Sequence, residues 1–269
     1  MTETQSQATP PVKLSAYIIA YNEADKIAAA VQSVYWADEI LVLDSNSSDD
    51  TAKIASENGA TVRQLEFTTF GKLRNEAIAQ CQHDWVFSLD ADERCTPEAQ
   101  AEILAILTNP QADAYFVPRR NWFMGRWIKH CGWYPDYRQP QLFRKAVMLF
   151  DDKDEVHESY QIQGKIGHLQ ADILQVPFQN LEQIVHKMQR YSSLGARKLA
   201  RKGKPVSMGT ALWHAVWAFI RIYVLKLGFL DGWAGFVLAL SNFEGTFYRY
   251  AKAATANIPW TTPDIDSKP

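Results

Sequence analysis

Asp90 and Asp92 close a run of apolar, strand-prone residues that begins at Trp85, and Glu93 follows at once. A buried strand that ends in three acids gathers like charge at a point where it is costly without a cation. In an extended chain Asp90 and Asp92 point the same way. Their oxygens suit a hard divalent cation, Mg²⁺ or Mn²⁺, with coordination positions left for a diphosphate. The same residues also read as an acidic turn ahead of a helix that starts near Pro97, with Thr96 as its N-cap.

The elements that would position these acids alternate regularly. Leu14–Ala20 reads as strand, Ala24–Tyr35 as helix, Glu39–Leu43 as strand, and Asp50–Asn58 as helix closed by Gly59. Thr61–Phe67 (strand), Lys72–Gln80 (helix) and Trp85–Leu89 (strand) continue the series. Such alternation implies parallel β-α-β units, an α/β fold whose ligands sit beyond the carboxyl ends of the strands. That rule gathers Tyr21-Asn22-Glu23, the stretch Asp44–Asp50 and the acidic tip at one crevice. Neither G-x-G-x-x-G nor G-x-x-x-x-G-K-[ST] is present. Instead Tyr21 could stack on a base, Glu23 could accept from ribose hydroxyls, and Asp44 could accept from a base N–H. Lys72 and Arg74 could meet a diphosphate. Each has a plainer reading: Asn22 and Asp49 as helix caps, Tyr21 as packing, Lys72 and Arg74 as solvated helix side chains.

With 269 residues, 47% of them hydrophobic, the chain suits one large α/β domain or a domain with an appendage. A net charge of −2 makes no case for nucleic acid. Cys81, Cys95 and Cys131 lack metal-site spacing and suggest a reducing compartment. Residues 1–11 are polar and read as a disordered tail on a cytoplasmic protein.

Beyond the tip, Pro97–Leu107 reads as helix, and Ala112–Val117 and Gln141–Lys145 as strands. Trp122, Trp127, Trp133, Tyr134 and Tyr137 suit sugar faces, a lipid interface, or a satellite of the core. Asp151–Glu158 gathers acids around a single histidine. A second histidine at zinc-protease spacing is missing.

The C-terminal third differs in kind. Leu181–Lys202 has helical character, residues 203–205 break it, and Met208–Leu227 resumes as a strongly apolar helix. From Gln183 to Leu230 there is no Asp or Glu but nine Lys or Arg: Lys187, Arg190, Arg197, Lys198, Arg201, Lys202, Lys204, Arg221 and Lys226. Anionic headgroups attract such residues by about 1 kcal/mol each. Trp213, Trp217, Phe219, Tyr223, Phe229 and Trp233 favour an interface. His214, Arg221, Lys226 and Asp231 interrupt a bilayer span, and His214 and Arg221 fall on one helical face. An amphipathic helix lying in the membrane plane fits better. A helical hairpin with solvated basic residues is the alternative.

The runs Ala20–Glu23, Leu43–Thr51, Arg74–Ala77 and Leu89–Glu93 resemble the nucleotide-sugar half of family 2 inverting glycosyltransferases of GT-A fold. Val156-His157-Glu158 and Tyr223–Gly235 narrow the resemblance to the lipopolysaccharide-core β-glucosyltransferase branch. It implies a GT-A domain over 12–178, a Rossmann-like, mostly parallel sheet flanked by helices, and a C-terminal helical membrane-associating region over 179–255 with a flexible tail from 256. It places the base against Tyr21, the ribose near Glu23, uracil near Asp44, the diphosphate near Arg74, and the metal on Asp92 with Asp90 beside it. The family run has a second aspartate where this chain has Ser45, so uridine is an expectation only. Inverting transfer needs one base for the attacking hydroxyl and no covalent nucleophile. Glu158 is the first choice, Asp154 and Glu155 are fallbacks, and His157 is either a third metal ligand or a structural hydrogen bonder.

The expected activity is transfer of a hexose, glucose above others, from a UDP-sugar to a lipid-linked lipopolysaccharide core saccharide. It would take place at the cytoplasmic face of the inner membrane. A polyisoprenyl-phosphate glycosyltransferase and a non-catalytic nucleotide-sugar binding protein are the alternatives.

Overall fold

The computed structural model describes residues 12–152, 159–201, 206–256 and 258. The chain forms two compact units. Residues up to Trp122 join Trp133–Pro177, and Phe123–Gly132 join the residues from Phe178 onward.

The first unit opens with β1 (Leu14–Ala20), α1 (Ala24–Gln32), β2 (Glu39–Asp44), α2 (Thr51–Glu57), β3 (Thr61–Gln64), α3 (Phe70–Gln80) and β4 (Trp85–Asp90), the alternation expected from sequence. Next come β5 (Glu93–Arg94), α4 (Pro97–Thr108), β6 (Ala114–Phe116) and β7 (Arg119–Phe123), whose last residue begins the second unit. After β8 (Arg126–Trp127) in that unit, the chain returns through β9 (Leu142–Arg144), β10 (Met148–Phe150), β11 (Tyr160–Ile162), β12 (Ile166–His168) and β13 (Ile173–Gln175).

Seven strands form the main sheet in the order β12-β6-β9-β4-β1-β2-β3. β3, β2, β1 and β4 run parallel, and β9 is antiparallel to both its neighbours. All seven residues of β1 are buried, as a strand covered by helices on both faces requires. Ile18, Phe87 and Leu89 pack with Ile27, Val31 and Ile103 on one face, while Tyr17, Leu43 and Val86 pack with Leu73, Ala77 and Ile78 on the other. A smaller sheet sets β13 between β5 and β7, with Gln175 paired to Glu93 on one side and to Asn121 on the other. Sequence periodicity did not disclose these strands of two to five residues. The Thr96 hydroxyl accepts from Ala99 N ahead of Pro97, so α4 has its cap without the acids of the tip.

The second unit contains α5 (Leu181–Arg201), α6 (Met208–Ile220), a π turn at Arg221–Leu225, a 3₁₀ turn at Gly228–Asp231, and α7 (Gly232–Ala254), which packs on α5 and α6. Phe123–Gly132 belongs here because the buried Asp231 carboxylate accepts from Lys129 N (3.3 Å), His130 N (2.9 Å) and His130 Nδ1 (3.1 Å). Asp231 therefore serves an internal anchor, and the expected stretch 12–178 is interrupted at these ten residues.

His214 is half-buried and stacks on Tyr250 of α7 at 4.4 Å, while Arg221, where the π turn begins, is exposed. The buried side of α6 carries Ala211 and Ala215, and the outer side carries Leu212, Trp213, Val216, Trp217 and Ile220. Trp213 is 70% exposed. Met208–Leu225 is long and apolar enough to cross a membrane by length and composition, and 17% of it is buried. On α5, Lys187, Arg190, Arg197, Lys198 and Arg201 are exposed. Lys202, Lys204 and the expected break at 203–205 lie outside the described residues.

Replacing Asp231 with Ala leaves two inward backbone N–H groups without an acceptor, and a loss of about 3 kcal/mol is expected in denaturant unfolding followed by tryptophan fluorescence. Burial pushes all three cysteine thiols up to about 12. Ellman's reagent at pH 8 is therefore expected to leave the folded protein unlabelled and to label it only in denaturant.

Candidate active site

Strand register brings the expected loops to one level. Ala20 pairs with Asp44 and Ile19 with Asp90, so β1, β2 and β4 end together. Tyr21 follows at once and is 58% exposed, presenting its ring to solvent. Beside it the first two loops are laced to each other. Asn22 N donates to Ser47 Oγ (2.9 Å), Ser48 N to Asn22 Oδ1 (2.8 Å), and Glu23 N to Thr51 Oγ1 (2.8 Å). Asn22 is thus a tie between loops, at a left-handed φ of 53°, and does not cap α1. Asp49 does accept from Ala24 N at 3.2 Å, at the start of that helix.

Glu23 forms an ion pair with Lys26 at 2.8 Å. Asp44 departs from expectation. It is fully buried and accepts from both the backbone N–H and the hydroxyl of Ser47, so it shapes the turn and offers no exposed oxygen to a base.

The acidic tip does not stay extended. The chain turns at Ala91–Asp92, where Glu93 Oε2 reaches back to accept from Asp90 N at 2.9 Å. Each acid then meets a different partner. Arg74, itself buried, donates to Asp90 Oδ1 at 2.9 Å and to Ser88 Oγ at 3.2 Å. Burial raises the Asp90 pKa, but the Arg74 and Arg119 guanidiniums more than offset this and hold the carboxyl below its ordinary range. Arg74 is accordingly neither a solvated side chain nor an open diphosphate ligand, whereas Lys72 is exposed at the start of α3. Glu93 and Arg119 are both shut from water and meet at 2.5 Å, and Gln141 Nε2 donates to the same carboxylate at 2.8 Å.

Asp92 makes no ion pair among the described residues, although the charges of Lys26 and Arg94 act on it. Gln175 Nε2 lies 3.2 and 3.3 Å from its two oxygens, and burial together with the charges of Asp90 and Glu93 pushes its carboxyl up to about 7. Sequence reasoning missed Arg119, Gln141 and Gln175. No motif marks them, because sheet pairing alone brings them to the tip.

Among the described residues no group of three or more His, Cys, Asp or Glu side chains is arranged to hold a metal ion. Asp90 and Asp92 nevertheless offer carboxylate oxygens of the kind that Mg²⁺ or Mn²⁺ takes, and Gln175 Oε1 beside them is buried with no hydrogen-bond partner. A cation there would favour the ionised form of Asp92.

Asp154, Glu155, His157 and Glu158 lie outside the described residues. The chain leading to them is fixed over the start of α3. Asn75 Nδ2 donates to Phe150 O (2.9 Å) and Asp152 Oδ1 (2.7 Å), and Thr69 Oγ1 donates to Asp152 O (3.1 Å). A Cβ at Gly71 would stand 2.1 Å from Asp151 O, so only glycine admits this approach.

Residues 15–173 match the family model described as Glycosyl transferase family 2. The uncharacterized glycosyltransferase RP128 of Rickettsia prowazekii (strain Madrid E) is 30% identical over 259 residues, covering 89% of this chain and 86% of the relative. The lipopolysaccharide core biosynthesis glycosyltransferase LpsC of Rhizobium meliloti (strain 1021) is 27% identical, covering 96% and 97%. A crystal structure of S. aureus TarS 1-349 superposes with a TM-score of 0.50 at 16% identity over 93% of this chain and 76% of that one, a likeness of fold. With its GT-A-like, mostly parallel sheet flanked by helices, the chain belongs to glycosyl transferase family 2.

Proposed function

We propose that this glycosyltransferase is an inverting hexosyltransferase that moves glucose from UDP-glucose to a lipopolysaccharide core saccharide at the cytoplasmic face of the inner membrane. The observation that carries the donor side is Asp92, met by a neutral amide where its two acidic neighbours are met by guanidiniums, on a sheet edge level with exposed Tyr21. Tyr21 stacks on the base, Glu23 accepts from the ribose, and the 44–49 turn closes the base pocket. A direct base contact from Asp44 requires Ser47 to swing away. Lys72 faces the diphosphate, and Arg74 acts through Asp90. Asp92 and Asp90 would hold Mg²⁺ or Mn²⁺, with His157 as a third ligand. When bound, the cation offsets charge on the departing diphosphate.

On the acceptor side Glu158, with Asp154 behind it, takes the proton of the attacking hydroxyl. The new bond from the sugar C1 to the acceptor oxygen forms as the bond to the diphosphate breaks on the opposite face, which inverts the anomeric centre. Near full-length similarity to a protein named for lipopolysaccharide core biosynthesis supports the acceptor class. The apolar outer side of α6 and the exposed cations of α5 support attachment to an anionic membrane surface.

Calorimetric titration with UDP and UDP-glucose, with and without Mn²⁺, tests the donor reading. Asp92→Asn is expected to weaken Mn²⁺-dependent donor binding at least about tenfold. Glu158→Gln should keep that binding and lose turnover by about 100-fold or more. Equal affinity in wild type with and without a chelator would remove the metal from the scheme. For the membrane side, Trp213→Ser combined with Trp217→Ser is expected to cut co-sedimentation with phosphatidylglycerol vesicles about tenfold, and reversing charge at Arg197, Lys198 and Arg201 should weaken it further in low salt. Unchanged sedimentation of both variants would refute membrane attachment.

A further inference from the structure

The segment Trp133–Arg138 is an exposed loop held in one shape from beneath. Arg119 N donates to Pro135 O at 2.8 Å and Arg119 Nη1 to Asp136 O at 2.9 Å. Asn121 Nδ2 donates to Trp133 O at 2.7 Å and to Asp136 Oδ2 at 3.2 Å, and Arg138 Nη2 reaches that same oxygen at 2.7 Å. Arg119 and Asn121 are buried, and Asp136 adopts a left-handed φ of 49°. Above this base the loop displays rings. Tyr134 and Tyr137 are exposed, and Tyr137 sets its edge against His168 at 5.1 Å and Phe116 at 5.7 Å. His168 is itself exposed and lies stacked on Phe116 at 5.2 Å.

Rigid tyrosines facing water are costly as packing and well suited to recognition. They offer a flat apolar area and a hydroxyl while losing little conformational freedom on binding. A pyranose presents the matching chemistry, an apolar face of ring C–H groups bordered by hydroxyls. The position is equally specific. The guanidinium that holds Asp136 also holds Glu93, and Glu93 in turn receives Asp90 N, so one side chain fixes the loop and the acidic tip to each other. Arg138 is near enough for its charge to act on Asp90 and Glu93.

We infer that Tyr134, Tyr137 and His168 form a saccharide platform that seats a pyranose of the acceptor beside the donor end of the site. The inference deepens the glycosyltransferase reading proposed above and rests on it for the word acceptor, while saccharide binding itself can be tested alone.

Saturation-transfer NMR on the full chain, with methyl β-D-glucopyranoside, methyl β-D-galactopyranoside and methyl α-D-mannopyranoside as probes, tests it. At least one glycoside should receive saturation from the aromatic protons, and Tyr137→Ala combined with His168→Ala should lose the signal at least about tenfold. The single variant Tyr137→Phe, which keeps the ring, should retain it, and circular dichroism with tryptophan fluorescence reports whether each variant is folded. Absence of transfer to every glycoside, or an equal signal in the folded double variant, overturns the platform. Glycoside binding without any nucleotide binding would leave the platform standing and remove the donor reading, and the reverse pattern would do the opposite.

Discussion

Glu93 and Arg119 meet at 2.5 Å with neither side chain reaching water. Two charges in such surroundings are tolerable only together, and deleting one partner of a buried pair typically costs roughly 3–5 kcal/mol because the other is stranded. The strands obey that demand. β5 and β7 flank β13, so that a two-residue strand bearing Glu93 and a five-residue strand bearing Arg119 are fixed in a single small sheet. From that pair outward, the carboxylate turns the tip of β4 by receiving Asp90 N, and the guanidinium holds the loop at Asp136. Geometry that the chemistry needs is thereby set by an interaction that takes no part in it.

The distribution of cations over the three tip acids follows the same logic. Arg74 and Arg119 hold the Asp90 carboxyl below its ordinary range, burial pushes the Glu93 carboxyl up against the opposing charge of Arg119, and Asp92, which makes no ion pair among the described residues, is pushed up to about 7. A site made only of neutralised carboxylates would not attract a divalent cation. One made only of bare carboxylates would not fold readily. On the metal reading proposed above, two paired acids and one unpaired one would meet both requirements.

What the sequence disclosed, and what it did not, divides along the range of the interactions. β1, β2 and β4 were legible because strands covered on both faces read as continuous apolar runs, and their ends follow from parallel topology. Tyr21 and Asp92 were legible for the same reason, as polar residues at such ends. The partners were not. Arg119 lies 26 positions from Glu93, and Gln175 lies 83 from Asp92, in strands too short to show periodicity. Asp44 was placed correctly along the chain, but its contact with Ser47, three residues on, runs through a turn that the residue types do not announce. Asp231 looked like a charge that interrupts an apolar stretch. It is the acceptor that gathers Lys129 and His130 into the helical unit.

The outer side of α6 inverts the usual arrangement of a helix in water. Its small residues face α7, and its tryptophans and leucine face outward. Nothing in an aqueous buffer satisfies such a surface except another like it, so without an amphiphile the colloidal state of the protein becomes a function of its own concentration. On the membrane attachment proposed above, rates taken in detergent-free solution would describe an associating population, and the lipid or micelle in the assay would be as much a part of the enzyme's defined state as its pH.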